Sequence, residues 1–237
     1  MKKSLFIIVA STFMIVLHAL GQDGVYCHEG FLNDKSCCLY LEIRDGRYLL
    51  DLSYELSLDL STGTTLSIGK CHEERGKVVL TDELFGYNMV FERIDTLTLI
   101  MRKGFISMRD ASFNYLREPT SSPFVYNSDT PDFNRDPYCV KTDNCRAKHE
   151  RKVAFQVGSY ALGYENEYLL NIGKNGRFEY YYRGVKLSEG RWKRRGNLLS
   201  FIDDGLNKPF FAIIKENGIV SSFLPGAFFD TMWSRVE

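Results

Sequence analysis

Cysteine and histidine occur as adjacent pairs, and these are the residue types in the chain with the clearest chemical potential. Cys27-His28 and Cys71-His72 each place a thiol beside an imidazole, and His149 follows Cys145 closely. Thiolate and imidazole groups hold zinc or copper when three or four of them converge. The spacing matches no zinc-finger pattern, so a metal-handling protein is an alternative interpretation and no metal site is predicted.

An even number of cysteines in an exported chain favours disulfides over thiolate ligands. The six are Cys27, Cys37, Cys38, Cys71, Cys139 and Cys145. Cys139 and Cys145 enclose a short loop and form the most readily expected bridge. A bridge between the neighbours Cys37 and Cys38 would be strained, which leaves two pairings for the other four. Both pairings link Cys71 to one of these neighbours, so the N-terminal segment is expected to be tied to the first sheet.

Aromatic side chains supply the candidate binding residues Tyr180, Tyr182 and Trp192. On a strand, Tyr180 and Tyr182 share one face, which is either a platform for a sugar or peptide or part of the core. Trp192 lies in the basic run Arg191–Arg195. It could stack on a base or an anionic glycan, but a core tryptophan followed by a solvated turn is the stronger interpretation.

Charge and motif content exclude two broad functions. The 30 basic and 30 acidic side chains balance, and loss of Lys2 and Lys3 with a leader leaves a net charge of −2. A nucleic-acid partner is therefore not expected. The histidines stand in no nucleophile or metal-hydrolase motif. Asp203-Asp204 and Glu73-Glu74 fall at predicted turns, where carboxylates are typically solvated. No catalytic residue, enzymatic activity or cofactor is predicted.

β-Strands must position these residues, and the clearest strand signal lies between Tyr48 and Leu60. Its even-numbered residues are apolar from Tyr48 to Leu60, and polar residues alternate with them except at Leu49. Such alternation is typical of strands with one buried face and one wet face. The stretch exceeds the usual strand length of about 5–6 residues. It therefore indicates a strongly coiled strand, or two strands of a small closed barrel.

Further strands are predicted around this stretch, with a proline-rich linker after them. The predicted strands are 38–43, 64–68, 77–82, 87–93 and 95–101, and residues 22–36 are expected to form a loose segment. Several short strands at this spacing indicate an antiparallel sandwich or barrel. No helix is predicted after the leader. Four of the six prolines fall within 116–150, which favours a linker between a module at 22–115 and another at 151–237.

The two modules share an ordered set of features, which favours internal duplication. Gly46-Arg47-Tyr48 parallels Gly158-Ser159-Tyr160. The stretch 67–71 parallels 188–192, and 76–79 parallels 196–199. We therefore predict an all-β protein of two related antiparallel β-meander modules, either separate small barrels or two halves of one sheet system.

The second module also resembles a known family in its turn and core residues. These residues are Gly158, Tyr160, Leu170, Ile172, Gly176, Gly190, Trp192, Gly196, Asn197 and Leu198. Their order is similar to that in small exported lipocalin-like barrels of the copper-resistance and envelope-stress lipoprotein type. The resemblance implies a fold and an exported location. The family's Cys-x-x-Cys and its lipid-bearing cysteine are missing, so metal sensing and membrane anchoring are not carried over.

The N-terminus predicts export. Lys2 and Lys3 precede an apolar run from Leu5 to Leu20, and cleavage is expected after Gly21. The run is shorter than a membrane span of about 20 residues, so no stable transmembrane span is expected after cleavage. A periplasmic, outer-membrane-associated or extracellular binding module is predicted, with an apolar small molecule or an envelope protein as its partner. A structural surface protein is the competing class.

Overall fold

The structure, a computed structural model, describes residues 23–32, 35–53, 64–83, 85–124, 143–163, 166–223 and 231–236. The predicted all-β class is confirmed, because the described residues form two closed antiparallel barrels of eight strands each. In each barrel every strand pairs with its neighbours in sequence, and the first strand pairs with the last. Both barrels are therefore simple meanders closed on themselves, with no sheet edge left open.

The first barrel extends from residue 24 to residue 117. Its strands are β1 (Gly24–Leu32), β2 (Lys35–Arg44), β3 (Arg47–Ser53), β4 (Thr64–Glu74), β5 (Lys77–Asp82), β6 (Asn88–Arg93), β7 (Thr98–Lys103) and β8 (Ser112–Arg117). A short 3₁₀ helix, Ile106–Met108, lies between β7 and β8.

The second barrel extends from residue 158 to residue 236. Its strands are β9 (Gly158–Leu162), β10 (Tyr168–Ile172), β11 (Arg177–Tyr182), β12 (Val185–Arg195), β13 (Leu198–Asp203), β14 (Pro209–Lys215), β15 (Gly218–Phe223) and β16 (Thr231–Val236).

The alternating stretch forms β3 over its first half, and its second half lies outside the described residues. Tyr48, Leu50 and Leu52 point into the barrel, as the alternation predicted. The opposite face was expected to be wet, but Asp51 and Ser53 are buried as well. Elsewhere on the outer wall, the chain beyond β8 contacts Glu42 and Arg44 of β2 through its residues 120–124.

The N-terminal segment is a strand rather than the loose segment predicted for residues 22–36. β1 pairs with β2 along its whole length, and its partner at the barrel closure is β8. Val25, Tyr26 and Cys27 are consecutive and buried. Both faces of β1 are covered here, so apolar and polar residues do not alternate along it. The period of two that identifies a half-exposed strand is therefore missing.

The strand register confirms that the two barrels are related. β3 and β4 shift register between Leu50 and Asp51, and β11 and β12 shift between Tyr180 and Tyr181 at the corresponding place. The register also corrects the predicted parallel between Tyr160 and Tyr48. Tyr160 lies on the first strand of its barrel, opposite Leu170, as Tyr26 lies opposite Leu41. Turn motifs recur along the chain, so similarity of turns alone selected the wrong strand.

The two barrels contact each other through corresponding ends. Phe210 packs edge-on against Phe85 and Tyr87 of the first barrel. The buried hydroxyls of Thr64 and Tyr168 lie 3.0 Å apart across the same junction. The buried side chains of both interiors consequently form one hydrophobic cluster.

The chain between the barrels contains a short helix over residues 143–147, which the sequence analysis did not predict. Its Ala147 packs with Leu198 and Ile213, apart from the barrel interior. Within the described ranges, no helix is both long and apolar enough to cross a membrane. The predicted leader, residues 1–21, and residues 125–142 of the predicted linker lie outside the described residues.

Candidate functional site

The interior of the second barrel holds a cluster of four polar aromatic residues, Tyr168, Tyr180, Tyr182 and Trp233. β10, β11 and β16 direct these side chains inward, where at most 1 % of each is exposed. Tyr180 and Tyr182 are two apart on β11, so strand alternation brings them to the same face. These two predicted binding residues are therefore part of the core and do not form a surface platform.

The four rings are packed in mutual contact. Tyr168 and Tyr182 are opposite each other on β10 and β11, with ring centroids 4.6 Å apart. The ring of Trp233 is edge-on to Tyr168 at 6.2 Å and to Tyr180 at 5.9 Å. These separations are typical of favourable aromatic pairs. The cluster thus combines apolar ring surface with several polar groups in an enclosed space.

The indole N–H of Trp233 is the polar group in this cluster that the structure leaves without an acceptor. Its Nε1 is fully buried and has no hydrogen-bond partner. Burying an amide-like donor without a partner costs about 1–3 kcal/mol in proteins, so such groups are rare. A bound molecule with an acceptor atom would remove this cost. The Trp233 indole is therefore the place in this cluster where a bound acceptor would contribute.

The first barrel has apolar residues at all four corresponding positions. Ser188 faces Tyr180 across the strand pair as Ser67 faces Leu50, which fixes the correspondence for β11 and β3. The same reasoning from strand register assigns Leu39 to Tyr168, Leu50 to Tyr180, Leu52 to Tyr182 and Phe113 to Trp233. A barrel of this type therefore closes without these polar groups, which the second barrel has at all four positions.

Trp192, the third predicted binding residue, lies elsewhere in the second barrel. Its backbone N–H donates to Gly176 and its indole N–H donates to the Gly173 carbonyl oxygen, at 2.9 Å in both cases. These contacts place it at the β10–β11 turn, whereas Tyr182 ends β11 at the opposite end. Trp192 is half-buried and packs on Phe155. It closes one end of the barrel and does not join Tyr180 and Tyr182.

Asp203 is buried, which corrects the prediction that Asp203 and Asp204 are both solvated. Its carboxylate accepts hydrogen bonds from the Ser188 hydroxyl and from the backbone N–H groups of Gly205 and Leu206. Burial raises the pKa of Asp203, and these hydrogen bonds oppose the rise. Ser67 and Asp82 make the same contact in the first barrel. The pair shapes a turn in both barrels and therefore has a structural role.

The outer wall of the first barrel holds a buried carboxyl group that the sequence analysis missed. Asp51 is 2 % exposed, and its Oδ1 has no hydrogen-bond partner. Desolvation raises its pKa to about 7, while a hydrogen bond with Thr65 opposes this and Glu42 adds to it. The sequence places Asp51 in a long alternating strand, but the alternation assigns it to the face that was expected to be exposed to solvent.

The described cysteines, Cys27, Cys38, Cys71 and Cys145, are free thiols in the structure. Cys38 pairs with Ser53 at the end of β3, whereas Cys71 lies beside Gly46 just before β3 begins. Seven strand residues separate these places by about 23 Å. A disulfide needs Cα atoms within about 7 Å, so a bridge from Cys38 to Cys71 does not fit this register. Cys139 and the Cys37 side chain lie outside the description.

The cysteine and histidine pairs are not brought together. Among the described residues, no group of three or more His, Cys, Asp or Glu side chains is placed to hold a metal ion. Comparison with protein-family models, with curated proteins and with solved structures finds no match to this chain.

Proposed function

We propose that the protein is a non-catalytic binding module that holds a small, largely apolar molecule inside its second barrel. The observation that carries the proposal is the buried Trp233 indole N–H without an acceptor, on a ring that packs against Tyr168 and Tyr180. The ligand would carry at least one hydrogen-bond acceptor, such as a carbonyl or ether oxygen, to meet this donor. Its remaining surface would contact ring faces and edges.

The contrast between the two barrels supports this assignment. Selection for stability alone favours apolar interiors, because every buried polar group must find a partner. The first barrel satisfies that rule at the four positions with leucine and phenylalanine. The second barrel has polar aromatic residues at all four, and binding sites are typically apolar enclosures with a few placed polar groups. The leader sequence and the lipocalin-like pattern add the expectation of an exported protein.

The test uses the protein purified from its natural source and measured by native mass spectrometry. We expect a mass above that of the polypeptide, lost on denaturation. Trp233→Phe restores the residue of the first barrel and removes the donor, so it should lose the added mass. The chain has two tryptophans, and Trp192→Phe is the matched control that should retain it.

Circular dichroism of both variants separates loss of the ligand from loss of the fold. A wild-type chain that is folded and carries no added mass would overturn the proposal and favour a structural surface protein. Retention of the ligand by a folded Trp233→Phe variant would move the binding site away from the second barrel.

A further inference from the structure

Two cysteines lie side by side on the outer wall of the first barrel. Cys27 on β1 is directly opposite Tyr40 on β2, and Cys38 is two residues from Tyr40 on the same face. Diagonal neighbours of this kind on adjacent strands are about 7–8 Å apart, which is at the outer limit for a disulfide. Both thiols belong to one buried cluster, and burial together with the neighbouring Cys38 raises the pKa of Cys27.

The pair occupies a small cluster of its own, separate from the barrel interior. Cys27, Cys38, Val25 and Tyr40 pack together, and each is at most 6 % exposed. The other described cysteines are excluded as partners. Cys71 packs against the interior of the barrel, and Cys145 is exposed on the chain between the barrels. Among the described cysteines, Cys27 and Cys38 are therefore each other's nearest thiol.

We propose that Cys27 and Cys38 form a disulfide on the outer wall when the chain folds in an oxidising compartment, and that Cys71 stays a free thiol. The oxidant is a disulfide, supplied by a small molecule or an oxidoreductase. A cysteine thiolate attacks it and releases one thiol, and the second cysteine then displaces the other. Two electrons and two protons leave the protein, one S–S bond forms and the oxidant's S–S bond breaks.

Burial should make the bond persistent. Desolvation, together with the neighbouring Cys38 and Glu29, raises the pKa of the Cys27 thiol to about 12. Exchange requires a thiolate and access to the sulfur atoms. The bridge should therefore resist a reductant while the protein is folded, and the same reductant should break it once the chain is unfolded. Neither predicted pairing of the cysteines included this bridge together with a free Cys71.

The experiment is peptide mapping of the exported full-length protein, alkylated in denaturant without reductant. We expect the peptide containing Cys27 to be linked to the peptide containing Cys37 and Cys38, and Cys71 to be alkylated. Alkylation of both Cys27 and Cys38 would overturn the proposal, as would any linked peptide that contains Cys71.

Single variants identify which of the two neighbouring cysteines forms the bridge. Cys37→Ser should retain the linked peptide, and Cys38→Ser should lose it and leave Cys27 alkylated. The opposite pattern would overturn the proposal, because it would assign the bond to Cys37. Cys71→Ser is the matched control and should leave the linked peptide unchanged. A protein treated with reductant under native conditions should keep the link, and the same reductant in denaturant should remove it.

Discussion

The hydroxyl groups of Thr64 and Tyr168 lie 3.0 Å apart, fully buried, although they belong to different barrels. Thr64 begins β4 of the first barrel, and Tyr168 begins β10 of the second and forms part of the aromatic cluster. A hydrogen bond therefore connects the proposed binding site to the neighbouring barrel. Its surroundings are apolar, because Phe85, Tyr87 and Phe210 pack at the same junction.

Thr64→Val should weaken this junction. Valine matches threonine in shape and occupies the corresponding position in the second barrel, Val185, so the change removes the hydroxyl with little change in packing. Because the buried Tyr168 hydroxyl loses this partner, we expect the free energy of unfolding to fall by about 1–3 kcal/mol. Urea denaturation measures it. Thr98→Val, at a partly exposed threonine of β7, is the control and should leave the value nearly unchanged; equal effects would contradict the prediction.

Asp51 should make the stability of the protein fall as pH rises. The folded chain keeps its proton until about pH 7, whereas the unfolded chain releases it near the ordinary value of 3.8. Between these values the folded state binds more protons, so the free energy of unfolding decreases with pH and levels off above about pH 7. The full loss is on the order of 4 kcal/mol.

Asp51→Asn isolates this effect, because an amide does not titrate in this range. Denaturant unfolding at pH 5 and pH 8 should show a larger loss of stability for the wild-type chain than for the variant. The difference between the chains cancels contributions from other groups, including Asp203. If wild type and variant lose equal stability between the two pH values, Asp51 does not titrate as proposed.

Strands with one exposed face were predictable from the sequence, and those covered on both faces were not. β5 and β6 show alternating burial, and the predictions 77–82 and 87–93 match them closely. β1 shows no alternation, because Val25 and Cys27 are buried on the outer wall as fully as Tyr26 is inside. On the outer wall Val25 and Cys27 pack with Cys38 and Tyr40 of β2, and local periodicity carries no information about such packing.

The candidate site was predictable only in part for a similar reason. Tyr180 and Tyr182 were identified by their alternation on one strand. Tyr168 and Trp233 lie on other strands, and only the strand register brings them into contact. The positions of the first barrel that correspond to this cluster can also be found only from the strand register. The parallel between Tyr48 and Tyr160, predicted from the turns, aligns the wrong strands.

Glycine at one position of each barrel is required by close backbone packing, which gives a matched test of the repeat. Gly69 lies opposite Asp82, and Gly190 lies opposite Asp203. A Cβ atom at Gly69 would clash with the carbonyl oxygen of Thr81, and one at Gly190 would clash with that of Ile202. Backbone atoms cannot move aside without disturbing the ladder, so the two positions should respond alike.

Gly69→Ala and Gly190→Ala should each lower the free energy of unfolding by about 3 kcal/mol or more, since overpacking a rigid site forces the backbone to shift. Gly30→Ala is the control, because a Cβ there would meet side-chain atoms of His28 at 3.3 Å rather than backbone, so only a small side-chain shift is required. Denaturant unfolding of the three variants compares them directly. Tolerance of alanine at Gly190 with intolerance at Gly69 would mean that the two barrels do not share this packing.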